Sequence, residues 1–164
     1  MKINTEKQIP IETLRELFSY DPATGVLTRR DLGRVVGSLR SDGYLSATVK
    51  YRSLLVHRIV FACYHGRWPN GRLDHKNEIK SDNKIENLRE ATNSQNVCNC
   101  GKRKTNTSGV KGVHFYKPTG KWMAQLQIDG RKIFVGYFTE ISDAKSTLEQ
   151  KRAEMHGEFA NHGG

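Results

Sequence analysis

Cysteine, acidic charge and long apolar runs are all scarce in this 164-residue chain. Its three cysteines, Cys63, Cys98 and Cys100, are odd in number and too few for a disulfide framework, which points to a reducing compartment. Cys98-Asn99-Cys100 lacks the two-residue gap of a zinc knuckle and no second pair follows, so structural zinc is not expected. No apolar run approaches the roughly 20 residues that cross a bilayer, and Met1 to Pro10 is polar, unlike a secretory leader. These absences predict a soluble, cytoplasmic protein with no membrane partner. Only 17 acidic residues stand against 27 Lys and Arg, a net charge of +10, so a polyanionic partner is expected. With 36% hydrophobic residues, neither half of the chain can bury a large core alone.

What is present alternates between short periodic segments and turns. Ile11 to Ser19 carries Leu14, Leu17 and Phe18 at helical spacing. Tyr20 to Gly25 is a turn, with Pro22 fixing φ and Gly25 permitting a positive one. Short runs at residues 26–28, 35–39, 44–49 and 54–56 suggest a small antiparallel β meander. Arg29, Arg30, Arg34, Arg40 and Arg52 interleave it, opposed only by Asp31 and Asp42, so an electropositive, DNA-gripping face is expected there. His57 to His65 reads as a core helix ended by Gly66. Arg72 to His75 is a brief strand, residues 76–84 a polar loop and Ile85 to Arg89 a return segment. Thr92 or Asn93 then caps a helix running to about Asn99. Residues 101–109 contain no apolar side chain and read as a basic linker, with Lys102, Arg103 and Lys104 suited to phosphate.

Beyond Val110 the pattern predicts three antiparallel strands backed by one helix. Asp129-Gly130 is the strongest hairpin signal in the chain. Ser142 is the expected cap of the last helix, with Ala144, Leu148, Ala153 and Met155 facing the sheet. The expected fold class is therefore α+β. A first domain over residues 1–100 would lead through the linker at 101–109 to a second domain at 110–160.

Leu73-Asp74-His75, followed by Asn83, Asn87 and Asn96, carries the chemistry. Hard cations take few protein oxygens and complete their octahedron with water and substrate. The Asp74 carboxylate and the Asn96 amide carbonyl suit Mg²⁺, with Mn²⁺ substituting, better than zinc. A neutral His75 can take a proton from water. Neighbouring strand residues face opposite ways, so Asp74 and His75 cannot both meet one cation on a regular strand. Asn87 is placed to brace the loop beside His75. His57 is ambiguous between a supporting structural role and an approach to phosphate or metal.

Val56-His57-Arg58-Ile59-Val60, Trp68-Pro69, Leu73-Asp74-His75, Ser81-Asp82-Asn83, Ile85 to Arg89 and Asn93 to Asn96 together resemble the HNH homing endonucleases of phages. Tyr20 to Gly25 and Gly37 to Tyr44 are similar to the N-terminal part of the same proteins, so the resemblance spans most of residues 18–108. It implies a divalent-metal-dependent endonuclease of duplex DNA, acting as a monomer or dimer in the host cytoplasm. His75 would be the base, Asp74 and Asn96 the metal ligands and Asn87 the loop brace. The rival readings are a non-catalytic DNA-binding regulator that keeps the same shell, and an RNA-binding basic protein.

The C-terminal half resembles the plant ethylene-response-factor (APETALA-type) DNA-binding domain. The carriers are Ser108 to Val113, Gly120 to Gln125, Gly136-Tyr137-Phe138 and the helix around Ala144. The resemblance implies contacts from His114, Tyr116, Trp122, Gln125, Gln127, Lys132 and Phe134 in the major groove. Gln125 and Gln127 share a face and suit adenine edges, while Lys121 and Arg131 suit phosphate. Trp122 and Phe134 serve equally well as core residues.

Overall fold

The computed structural model describes residues 9–102 and 105–162, the side chains of residues 97, 98 and 158 excepted. The chain is of mixed α+β class, with four small antiparallel sheets. It divides into two compact units, Met1–Ala91 and Thr92–Gly164. The division falls ahead of the basic segment at 101–109 to which composition assigns the boundary. No helix among the described residues is long and apolar enough to cross a membrane.

The first unit opens with helix α1 (Ile11–Leu17), which ends two residues earlier than its periodicity predicts because Phe18 turns extended and begins β1 (Phe18–Tyr20). β1 pairs with β2 (Leu27–Arg29), and β2 with β3 (Arg34–Val35). The turn between β1 and β2 needs Gly25, whose φ is +76°. A Cβ there would come within 2.6 Å of the Lys84 nitrogen and 2.8 Å of the Asn83 carbonyl carbon. The run at 35–39, expected as one strand, is broken at Gly37 (φ +141°). Its far side, β4 (Ser38–Leu39), starts a separate sheet with β5 (Leu45–Val49) and β6 (Arg52–Leu55).

Helix α2 (Val56–His65) follows β6 directly and ends at Gly66 in the left-handed region, as the sequence predicts. Val56, Ile59, Val60 and Ala62 recur at helical spacing and are all buried. They join Leu14, Phe18, Leu27, Val49 and Leu54 in one core. Strands β7 (Arg72–His75) and β8 (Leu88–Ala91) form the remaining hairpin of this unit, with a 3₁₀ turn at Ile85–Asn87 leading into β8.

The second unit begins with α3 (Asn93–Asn99). Thr92 caps it reciprocally with Gln95: the Gln95 N–H donates to the threonine hydroxyl, and the Thr92 N–H to the Gln95 side-chain oxygen. Three strands follow, β9 (Val113–Tyr116), β10 (Lys121–Ile128) and β11 (Arg131–Phe138), with β10 central. Asp129 and Gly130 both take positive φ, 47° and 79°, the two-residue turn that the Asp-Gly pair predicts.

Helix α4 (Ile141–His156) packs Ala144 and Leu148 on this sheet. Its cap differs from the sequence reading: Glu140 is the cap residue, no side chain caps the helix, and Ser142 lies within the first turn. The inward face also differs. Ala153 is exposed and Met155 is 49% exposed, while Arg152 is the buried residue. Positions 144, 148 and 152 follow the i, i+4 spacing, and Arg152 tolerates burial there because it donates to the Lys111 carbonyl.

Candidate active site

β7 delivers Asp74 and His75 to opposite faces, as its regular antiparallel pairing requires. Asp74 stands across from Arg89 on β8. The Arg89 Nε and a terminal guanidinium nitrogen each lie 2.9 Å from Asp74 Oδ2, and both side chains are almost wholly buried. The charge of this carboxylate is thus met within the hairpin by a cation supplied by its cross-strand neighbour.

His75, 4% exposed, enters a cluster of rings. His57, in the first turn of α2, meets it edge to face, with ring centroids 5.1 Å apart and planes at 84°. Tyr44 lies 5.1 Å from the His57 ring and 5.8 Å from that of His75. Lys80 covers the other side of this group: its Nζ is 4.9 Å from the Tyr44 centroid and donates to the Asp42 carbonyl. Burial is the main force holding the His75 pKa below the ordinary imidazole value, against the opposing pull of Asn83. Burial drives His57 further, down to about 3, with His75 and Arg58 adding to the shift. His57 Nδ1 is buried and has no hydrogen-bond partner. Both rings are therefore neutral at pH 7.

Asparagines build the loop after His75. The Asn87 Oδ1 accepts from the Asn77 N–H at 3.0 Å, and its Nδ2 donates to the Asp82 carbonyl at 2.9 Å. Asn77 Nδ2 in turn donates to the Asp82 carboxylate at 2.7 Å. Asn87 therefore ties both ends of the loop together and occupies the bracing position that the sequence suggests. Asn83 reaches the histidine itself: its Oδ1 lies 3.4 Å from His75 Nε2. Its Nδ2 donates to the Ser81 carbonyl, which turns the oxygen toward the histidine. The Tyr20 hydroxyl holds the Asn83 backbone carbonyl at 2.9 Å. Sequence reasoning did not find Tyr44, Arg89 or Tyr20 as parts of this site. For Arg89 a signal existed, since a basic residue four places after Ile85 is placed to pair across a two-stranded hairpin.

The other expected site residues are spread more widely. Asn96 stands half-buried on α3, which belongs to the second unit, and Asp74 to the first. Among the described residues no group of three or more His, Cys, Asp or Glu side chains is placed to hold a metal. A closed zinc cage therefore has no ligand set there. The side chains expected from sequence to meet Mg²⁺, Asp74 and Asn96, are both oxygen donors, the ligand type that ion takes.

Of the meander arginines, Arg34 and Arg52 are exposed. Arg29 pairs with Asp31 and Arg40 with Asp42, while Arg30 Nε donates to the carbonyls of Arg15 and Phe18. Those three are held by the protein itself. Lys102 is exposed, and Arg103 and Lys104 lie outside the described residues, as does the Cys98 side chain.

In the second unit the strand registers put His114, Tyr116, Lys121, Gln125, Gln127, Lys132 and Phe134 on the sheet face opposite α4. Phe134, 56% exposed, and Tyr137 lie 5.1 Å apart there, and Tyr116 is 5.4 Å from Tyr137. Arg131 opens β11 and is exposed. Trp122 points the other way and packs against the core with Phe115 at its edge.

Residues 54–98 match the family model described as HNH endonuclease, a span that includes His57, Asp74, His75, Asn87 and Asn96. "Protein 3.8" of Escherichia phage T7 is 27% identical over 111 residues, covering 67% of this chain and 91% of that protein. A solved structure described as "DNA binding and cleavage by the HNH homing endonuclease I-HmuI" is 18% identical, with a TM-score of 0.45 and 90% of each chain covered.

Proposed function

We propose that this chain is a divalent-metal-dependent endonuclease of duplex DNA, with His75 as the general base. The observation that carries this reading is a buried, neutral imidazole at the mouth of an asparagine-braced loop, inside the segment that matches the HNH endonuclease family. The Asn83 side-chain oxygen, 3.4 Å from Nε2, orients the His75 ring. The imidazole would take a proton from water as the water oxygen attacks phosphorus, and the ester P–O bond would break on the opposite side, its oxygen leaving with a proton returned from the imidazolium or solvent. His57 and Tyr44 wall the ring from bulk solvent and keep it uncharged.

Asp74 and Asn96 would hold the Mg²⁺. When bound, the ion supplies charge stabilisation at a non-bridging oxygen and at the leaving oxygen. Arg89 would then release part of Asp74 Oδ2 and become available to phosphate. The exposed Gln127, Tyr116 and Phe134 of the second unit, with the half-buried Gln125, would read flanking base pairs in the manner of the ethylene-response-factor domain, with Lys121 and Arg131 on the backbone. Tethering two modest sites on one chain lengthens residence at the target.

The second reading, a DNA-binding regulator that does not cut, has one observation in its favour: the carboxylate meant for metal already holds Arg89. Incubation of phage and host DNA with the protein in Mg²⁺, Mn²⁺ or chelator, with mapped ends, separates the two. His75→Ala should lose cleavage by at least 100-fold and keep its DNA affinity. Wild-type protein that binds tightly yet leaves DNA whole in both metals would establish the regulator instead.

A further inference from the structure

The tip of the β5–β6 hairpin breaks the turn rule that Asp129-Gly130 obeys. Val49 pairs with Arg52, which leaves Lys50 and Tyr51 as a two-residue loop. Both take positive φ, 45° and 65°. Such loops favour Asn-Gly, because the left-handed region crowds the Cβ of a bulky residue. Among the described residues Lys50 and Tyr51 are the one adjacent pair of non-glycine residues held there.

No packing offsets that strain. Tyr51 is 102% exposed, so the protein covers none of its ring. The stalk beneath it is firm: Ala47, Val49 and Leu54 are buried in the core of the first unit. A strained turn that carries a bare aromatic on a rigid support is a feature kept for what the side chain meets outside the protein. Lys50 and Arg52, on either side, are exposed. Neither β5 nor β6 contains Asp or Glu, and the carboxylate nearest in sequence, Asp42, is paired with Arg40. Two cations flanking one ring match a polyanion that holds flat apolar faces between its charges, which is the layout of bases between phosphates. A protein groove would want the ring without the cations, and a simple polyanion the cations without the ring.

We propose that Tyr51 enters duplex DNA as a wedge, stacking on a base at a partly opened step while Lys50 and Arg52 hold the neighbouring phosphates. This rests on the reading of the chain as a nuclease of duplex DNA and adds a way of choosing the site. The step that opens is the one that unstacks most cheaply, a pyrimidine–purine step such as TA, so Tyr51 selects sequence through deformability rather than through base edges. β6 runs straight into α2, and the chain from Tyr51 to His57 spans at most about 20 Å. The opened step therefore lies within about one turn of the duplex, roughly 34 Å, of the His57 ring.

The test uses the full chain in chelator, so that cleavage plays no part. Fluorescence anisotropy compares two labelled duplexes of equal length, one with central TA steps and one with an uninterrupted A-tract, which is stiff. The wild type should prefer the TA duplex. Tyr51→Ala preserves folding because the ring is wholly exposed, and Tm verifies this. It should weaken binding to the TA duplex about tenfold and leave the A-tract duplex and the slope of log Kobs against log salt unchanged, since no charge is lost. Tyr51→Phe should match the wild type. Lys50→Asn combined with Tyr51→Gly should lose the preference yet raise Tm, because Asn-Gly suits the turn. A preference retained by Tyr51→Ala, a Tyr51→Phe as weak as Tyr51→Ala, or a double variant that binds like the wild type overturns the wedge. So does structured RNA that competes better than the TA duplex for the wild type. Wild-type protein that binds neither duplex removes the DNA reading and the wedge with it, whereas Tyr51→Ala that binds and cuts like the wild type removes the wedge alone.

Discussion

His57 shows how one buried side chain sets a pH limit on the whole first unit. Its ring is 4% exposed, its Nδ1 has no partner, and its pKa sits at about 3. In the unfolded chain the same imidazole titrates near 6.5. Between those values the unfolded state binds a proton that the folded state refuses. Stability from this group is therefore whole above about pH 6.5 and is lost progressively as pH falls toward 3, at up to about 1.4 kcal/mol per pH unit. Burial lowers the His75 pKa in the same direction and adds to the slope. Urea unfolding from pH 7.5 to 4 should show this decline, and His57→Phe should flatten it, since phenylalanine keeps the ring contacts without the proton. Parallel curves for the two proteins would mean that His57 is not buried neutral. Because the base must also be uncharged, cleavage by His57→Phe should persist at neutral pH if the His57 ring only walls the site.

The β7–β8 hairpin is the element on which the chemistry turns, and its Asp74–Arg89 pair is both support and obstacle. With side-chain exposures of 6% and 10%, the two charges have been taken out of water together. Arg89→Met removes the cation that faces a buried carboxylate, and breaking such a pair costs about 3–5 kcal/mol. Urea unfolding should show that loss. If Asp74 is a metal ligand, Mg²⁺ should restore more stability to this variant than to the wild type, because an ion then replaces the missing cation. A variant as insensitive to Mg²⁺ as to Na⁺ would remove Asp74 from the metal site. Elements of this kind were legible in sequence to differing depths. Helix α2, the Asp129-Gly130 turn and strand β7 follow from local period and turn chemistry alone. The split of residues 35–39 between two sheets was hidden because Gly37 interrupts an otherwise continuous alternation, and only pairing reveals which side joins which sheet. Tyr20 at the end of β1 and Tyr44 just before β5 reach the site from distant segments, and no spacing rule connects them to residue 75. Arg152 was hidden because hydrophobic pattern alone favours Met155 for the inward face, whereas a carbonyl elsewhere in the fold makes room for the arginine.

At the scale of the whole molecule the net charge of +10 is not spread evenly over usable cations. A polyelectrolyte sees only charges that can reach phosphate and release its counterions. Arg30 spends its guanidinium on the Arg15 and Phe18 carbonyls, joining α1 to β1, whereas Arg34 on β3 is exposed. The two arginines therefore separate structural from electrostatic contributions within one sheet. Fluorescence anisotropy of a labelled duplex, titrated across salt concentration, gives the slope of log Kobs against log salt. Arg34→Ala should make that slope shallower by about 0.9, the signature of one lost phosphate contact on duplex DNA, with little change in Tm. Arg30→Ala should leave the slope alone and lower the stability by about 1–3 kcal/mol through unsatisfied carbonyls. Equal slope changes in both would mean that DNA responds to total charge, and the gripping face assigned to the first unit would have no fixed location. A change at Arg34 alone would fix β3 as part of that face.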